Sequence, residues 1–156
     1  MRCEGCTGTQ VSDPYAQSRR VPYVNHRYRP VAFAHMGEVR VRAVRGAVHV
    51  AEDAVEAVLS GTHRLLQEVL TRNGVDPQDI VSIFFTATED LVSAFPAEAA
   101  RRMDLGRVPL MCAREIPVAG SMPRVVRLLM HFHTERAQAD VVPVYLDGAE
   151  ALRDDL

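Results

Sequence analysis

Apolar positions follow two rhythms along this chain, and the changes between them mark its elements. Val39, Val41 and Ala43 alternate with Arg40, Arg42 and Val44, a period of two that predicts a strand. Asp53 then stands three residues before Glu56, as the N-cap of a capping box would. Val55, Val58, Leu59, Thr62, Leu65, Leu66, Val69 and Leu70 recur at helical spacing, and Asn73-Gly74 supplies a left-handed stop. Ile80 to Ala87 is an apolar, β-rich run of the length of a buried strand. Pro96 suits the first turn of a short helix through about Met103, and Val108 to Ala113 reads as a further strand. Val125, Val126, Leu128, Leu129, Met130 and Phe132 predict a second amphipathic helix from near Ser121, with Pro123 in its first turn. Val141, Val142, Val144 and Tyr145 form a last strand, closed by Asp147-Gly148.

The resulting order predicts an α+β fold, a mixed β-sheet with helices on one face. Two full helices leave the other face bare, so association with sister subunits is the economical way to cover it. Residues 1–37 have no sustained apolar period and are expected to be a disordered extension, with residues 38–156 as the globular domain. Met36-Gly37 directly precedes the first strand, which raises Met36 as a physiological start.

Composition narrows the classes. Hydrophobic residues at 47% and charged residues at 24% in 156 residues fit one globular domain with its own core. A net charge of -2 points to neither a nucleic-acid nor a membrane partner, and no apolar run approaches the roughly 20 residues needed to span a bilayer. The first 20 residues lack the apolar stretch of a secretory signal, and with three cysteines a reduced, cytoplasmic setting is expected. The basic side chains are arginines, whose planar fork of donors suits carboxylates as a lysine ammonium does not.

Each candidate group has an ordinary reading. Arg45 ends the first strand beside Gly46, Arg101 lies in the short helix, and Arg127 sits among Val125, Val126, Leu128 and Leu129. Taken singly, each arginine reads as a solvated charge. Alternation sends Cys112 and Arg114 one way and Glu115 the other, and Pro117 ends the strand. Cys112 alone reads as a small buried hydrophobe, with no base beside it in sequence to make it a nucleophile. Cys3-Glu4-Gly5-Cys6 is a lone pair of thiols where zinc needs about four ligands. On a helix His131 and His133 would diverge and chelate nothing together. No phosphate loop, nucleophile elbow or HExxH motif is present.

In order, these residues resemble the monofunctional, trimeric (AroH-class) chorismate mutases. Val41-Arg42-Ala43-Val44-Arg45-Gly46-Ala47 is similar to the opening strand of that family. Thr86-Ala87-Thr88-Glu89-Asp90-Leu91, then Phe95-Pro96-Ala97 with Arg101, resembles its central segment. Val108-Pro109-Leu110-Met111-Cys112 with Glu115 and then Arg127 resembles its third block. Val144-Tyr145-Leu146 and Leu152-Arg153 with Asp155-Leu156 resemble its tail. The resemblance implies a trimer with a pseudo-α/β-barrel core and active sites between subunits. It implies a cofactor-free enzyme, without metal, that turns chorismate into prephenate. By position, Arg45 binds a substrate carboxylate, and Arg127 reaches the ether oxygen and a carboxylate. Glu115 and the backbone near Cys112 hold the ring hydroxyl, and Tyr145 bonds a carboxylate. Phe95, Ala97, Leu110 and Met111 line the pocket, while Arg101 and Arg153 stand at its mouth.

Two departures qualify that transfer: Glu98 occupies a place where the family often has lysine, and Met111 one where threonine is common. Three rival readings remain. A non-catalytic oligomer sensing a small carboxylate would use the same arginines without requiring Glu115. A hydrolase or transferase would use Cys112 as nucleophile, and a Cys3/Cys6 extension would retain metal.

Overall fold

The computed structural model describes residues 38–153. The expectations for residues 1–37, the Cys3/Cys6 pair and Met36 among them, lie outside the described residues. The elements are β1 (Arg40–His49), α1 (Val55–Asn73), β2 (Ile80–Ala87), α2 (Pro96–Arg102), β3 (Leu110–Arg114), β4 (Val125–Thr134) and β5 (Val144–Leu146). One five-stranded sheet has the order β3-β2-β4-β1-β5. β4 runs antiparallel to both β1 and β2, whereas β3 lies parallel to β2 and β5 parallel to β1. The α+β reading with helices on one face of a mixed sheet therefore holds.

The second long helix does not exist. Residues 125–134 form β4 instead, and Arg127 is a strand residue. The cause is the position of β4 between β1 and β2. Val126, Leu128, Met130 and Phe132 are buried towards the helices, while Val125 is buried and Leu129 partly covered on the opposite face. A strand apolar on both faces reads as a nearly continuous apolar run, and such a run also fits a helical template. His131 and His133 accordingly share a strand face instead of diverging. The Ser82 hydroxyl lies 3.1 Å from Nδ1 of His131, whose ring meets Phe84 edge to face.

α1 buries Val58, Leu65, Leu66 and Val69 in the core it shares with the sheet, and Leu59 is buried as well. Each such side chain removed from water contributes about 1.5–3 kcal/mol before conformational entropy is charged against it. The predicted stop is present: Gly74 adopts φ 60°, and the Val75 amide donates to the Leu70 carbonyl. Asn73 adds a tie with no counterpart in the sequence pattern. Its buried side chain both donates to the carbonyl of Val142 and accepts from the Val142 amide, at 2.9 and 2.8 Å, fastening the approach to β5. At the other end the sequence reading fails: the N-cap is Ala54, no side chain caps the helix, and Asp53 turns elsewhere.

Gly46 shows how tightly β1 is held. A Cβ there would stand 2.8 Å from the Val144 carbonyl oxygen and 3.0 Å from a methyl of Leu65. Both neighbours are fixed, one as backbone and the other as a fully buried side chain. Gly46→Ala is expected to destabilise the fold by about 1–3 kcal/mol, seen as a lower midpoint in urea with an unchanged slope.

Candidate active site

On the face turned away from α1 and α2, the strand registers align one residue from each strand. Ala113, Thr86, Arg127, Ala47 and Tyr145 form a row across β3, β2, β4, β1 and β5. Arg127 thus stands at the centre of the sheet between two small neighbours, which leave its long side chain room above the strands. Glu115 follows β3 and extends its pairing, its amide donating to the Ala87 carbonyl at 3.0 Å. Alternation acts as expected: Arg114 faces the helical side, and Glu115 reaches over the open face.

Three polar groups join there. The Thr86 hydroxyl donates to Oε1 of Glu115 at 2.6 Å, and Nη1 of Arg127 forms an ion pair with Oε2. The side chains are 16% (Glu115) and 35% (Arg127) exposed, so the pair is screened less than a surface bridge. Burial pushes the Arg127 guanidinium below its ordinary pKa, and the neighbouring Tyr145 phenol acts in the opposite sense. An arginine remains charged under such a shift. Nη1 of Arg153 in turn lies 3.3 Å from the Tyr145 hydroxyl. The turn Ala149–Leu152 folds over this end of the face, packing Ala149 and Leu152 with Ala47, Val125 and Met122.

Arg45 lies one row away, opposite Leu129 and hence diagonal to Arg127 in the β1–β4 ladder. It is exposed, and its row continues through Leu129, Phe84 and Met111, each at least 39% exposed.

A second group of expected site residues gathers separately. Phe95, at the head of α2 and 72% exposed, lines a cavity of about 430 Å³ with Cys112, Leu91, Ser93, Glu98 and Arg114. The lining of this cavity includes none of Arg45, Glu115, Arg127, Tyr145 or Arg153. Cys112 is a free, exposed thiol rather than the buried hydrophobe its sequence context suggests, because β3 is an edge strand. Ala97 is buried beneath α2, Leu110 is partly buried against the core, and Arg101 is exposed on α2. Glu98 accepts from Nη2 of Arg102 at 2.7 Å, so this acid is paired within its own helix.

Sequence reasoning gave no role to the groups that brace these walls. The Asp90 carboxylate accepts the Arg124 amide, at 2.9 Å to its nearer oxygen, and the Thr88 hydroxyl oxygen accepts the Val125 amide at 3.0 Å. Arg124 is left-handed (φ 50°) and donates from Nε to the Val50 carbonyl. These contacts fix the start of β4 just ahead of Arg127. No periodicity signals them, since they join residues more than 30 positions apart.

A family model described as chorismate mutase type I matches residues 41–156. The chain is 50% identical to chorismate mutase AroH of Thermus thermophilus over 117 residues, covering 74% of this chain and 96% of that one. It is 35% identical to chorismate mutase AroH of Bacillus subtilis, covering 74% and 92% of the two chains. A solved structure titled chorismate mutase from Clostridium thermocellum superposes with a TM-score of 0.69 at 42% identity, over 70% of this chain and 97% of that one.

Electrostatics of the bracing loop gives a test. Partial burial raises the pKa of Asp90, but bonds from the Thr88 hydroxyl and the Arg124 and Asp90 amides, with the Arg124 charge, outweigh it and hold the carboxyl below its ordinary value. A depressed folded pKa stabilises the fold above the unfolded value and loses that contribution as pH falls through the folded value. Asp90→Asn should therefore be less stable than the parent by a constant margin above about pH 5, a margin that closes below about pH 4. Thermal melts across that range measure it.

Proposed function

The chain belongs to the chorismate mutase type I family, and on that premise we propose how its residues carry the reaction. The enzyme is an isomerase that rearranges chorismate to prephenate in aromatic amino acid biosynthesis. In this concerted shift a C–O bond breaks as a C–C bond forms through a chair-like arrangement. The step calls for no nucleophile, proton transfer or metal. Rate must come from holding the compact conformer and from stabilising charge that grows in the transition state.

Arg127 is assigned to the ether oxygen, where negative charge develops, and to one substrate carboxylate. The observation that carries this reading is the Thr86–Glu115–Arg127 chain of contacts, which fixes a guanidinium over the centre of the open sheet face. A charge so preorganised needs little rearrangement as the transition state forms. Glu115 accepts the ring hydroxyl and faces the positive charge that develops on the ring. Arg45 and Tyr145, on the same face, take the carboxylates through charge-assisted bonds. Arg153 steadies Tyr145 and closes the mouth together with Arg101.

The working unit is assigned to a homotrimer whose active sites lie between subunits. Two features support this. Val41, Phe84, Met111 and Leu129 leave the open face apolar and exposed, as expected of a surface that another copy covers. The Phe95–Cys112 cavity meets the arginine row at Thr86 and Ala113 but takes in none of Arg45, Arg127 or Tyr145 of the same chain, so a second subunit can bring one set against the other. A cytoplasmic setting fits the free thiol of Cys112.

Loss of chorismate absorbance without added cofactor, undiminished by chelator and yielding phenylpyruvate after acid treatment, is the expected behaviour of the purified protein. Arg127→Ala should lower kcat by about 10²–10³ while the protein stays folded, and Arg127→Lys should not restore it, because a planar fork is needed as well as charge. Near-normal kcat in Arg127→Ala would remove the assigned role. Sedimentation equilibrium should give three chains per particle; a fully active monomer would end the proposal of sites between subunits.

A further inference from the structure

We propose that Asp53 is a positioning residue that holds the Phe95 wall of the substrate pocket in place. This deepens the reading above and rests on Phe95 meeting substrate. By its place in sequence Asp53 offers the start of α1 a capping carboxylate, yet it caps nothing. Its Oδ1 instead accepts the amides of two consecutive residues across the fold, Val92 at 3.1 Å and Ser93 at 3.0 Å.

The Phe95 carbonyl accepts the Glu98 amide of α2 at 2.9 Å; among the described residues, the two Asp53 bonds are the only main-chain hydrogen bonds that tie residues 92–95 to a distant segment. The segment has no strand partner, and α2 begins at Pro96 with no side-chain cap at Phe95. Leu91 and Ala94 pack on the core and Pro96 is buried, but Val92 and Phe95 project 74% and 72% exposed, so apolar burial leaves those two side chains themselves unheld. The cavity of about 430 Å³ is lined by Leu91 through Pro96 on one side and by Cys112 to Arg114 on the other. A shift in the segment therefore changes the width of that cavity directly.

The clamp is suited to hold at working pH. The Ser93 hydroxyl lies beside the Asp53 carboxylate, its oxygen buried and without a partner in full hydrogen-bond geometry. That hydroxyl and the Ser93 amide, with a lesser share from the Val92 amide, keep the carboxyl below its ordinary range against the opposing effect of desolvation. The acceptor stays ionised through neutral and mildly acidic conditions. Asp53 touches no reacting atom on this reading and acts through the position of Phe95.

The test combines kinetics with amide exchange on the full chain. Asp53→Ala should speed exchange at the Val92 and Ser93 amides and raise KM for chorismate about three- to tenfold, with kcat changed less than about twofold. Asp53→Asn, whose amide oxygen still accepts both bonds, should restore most of the KM. In a Phe95→Ala background, Asp53→Ala should add no further rise, because the two residues act as one unit. Unchanged exchange at residues 92 and 93, or an effect of equal size with Phe95 already removed, overturns the proposal. So does a loss in Asp53→Asn as large as in Asp53→Ala. Wild-type kinetics for Phe95→Ala would instead remove the premise that Phe95 meets substrate, a failure recognisable because Asp53→Ala would still loosen the two amides.

Discussion

The role proposed for Arg127 requires it to be charged, fixed and reachable at once, and the local structure around it suits that combination. A guanidinium on a flexible side chain in water is screened and mobile. The same group above the centre of a sheet, paired with a carboxylate that is itself held by a threonine, is less screened and held in place. Thr86 and Ala47 flank it with little bulk, so the side chain is not forced off the face. The two helices on the opposite face supply the core that keeps the strands in register. The charge thus rests on a platform stabilised elsewhere, where the core does not have to accommodate it.

The open face divides into chemistry and cover. Towards Tyr145 the turn Ala149–Leu152 lies over Ala47 and Val125 and shields them fully. Towards β3, Phe84, Leu129 and Met111 stay partly bare in the single chain. A pericyclic step gains from such an arrangement, because it asks for shape and fixed charge rather than for a reactive side chain. Cys112 is exposed, yet the described residues give it no pairing with a base that would make a nucleophile of it.

Loop anchoring is the second recurring device. Asp53 grips residues 92 and 93, and Asp90 grips Arg124, each carboxylate accepting backbone amides from a distant segment. A carboxylate with two lone-pair-rich oxygens satisfies donors that lack a ladder partner, which is what irregular segments around a site leave over. Asp53 illustrates the competition: the helix start that could have used it goes without a side-chain cap, and the loop receives the bond.

The amino-acid order alone determined the element types where one face or a full stop dominates. The alternating residues of β1, the helical stripe of α1 with its Asn73-Gly74 end, the β2 run and the Pro96 helix start are all local patterns, set by backbone geometry and side-chain period. The ordered set Arg45, Phe95, Glu115, Arg127 and Tyr145 could be named as candidates from the order of short motifs alone, by resemblance. What only the tertiary structure decided depends on contacts across the sequence. Residues 125–134 became a strand because β1 and β2 flank them on both sides, a fact with no trace in an apolar run that fits either period. The meeting of Arg127 with Thr86 and Glu115 follows from strand register, which fixes side-chain parity only once the neighbours are known. Asp53 and Asp90 found their amides for the same reason: a local motif offers an acceptor, and the fold chooses which donor reaches it first.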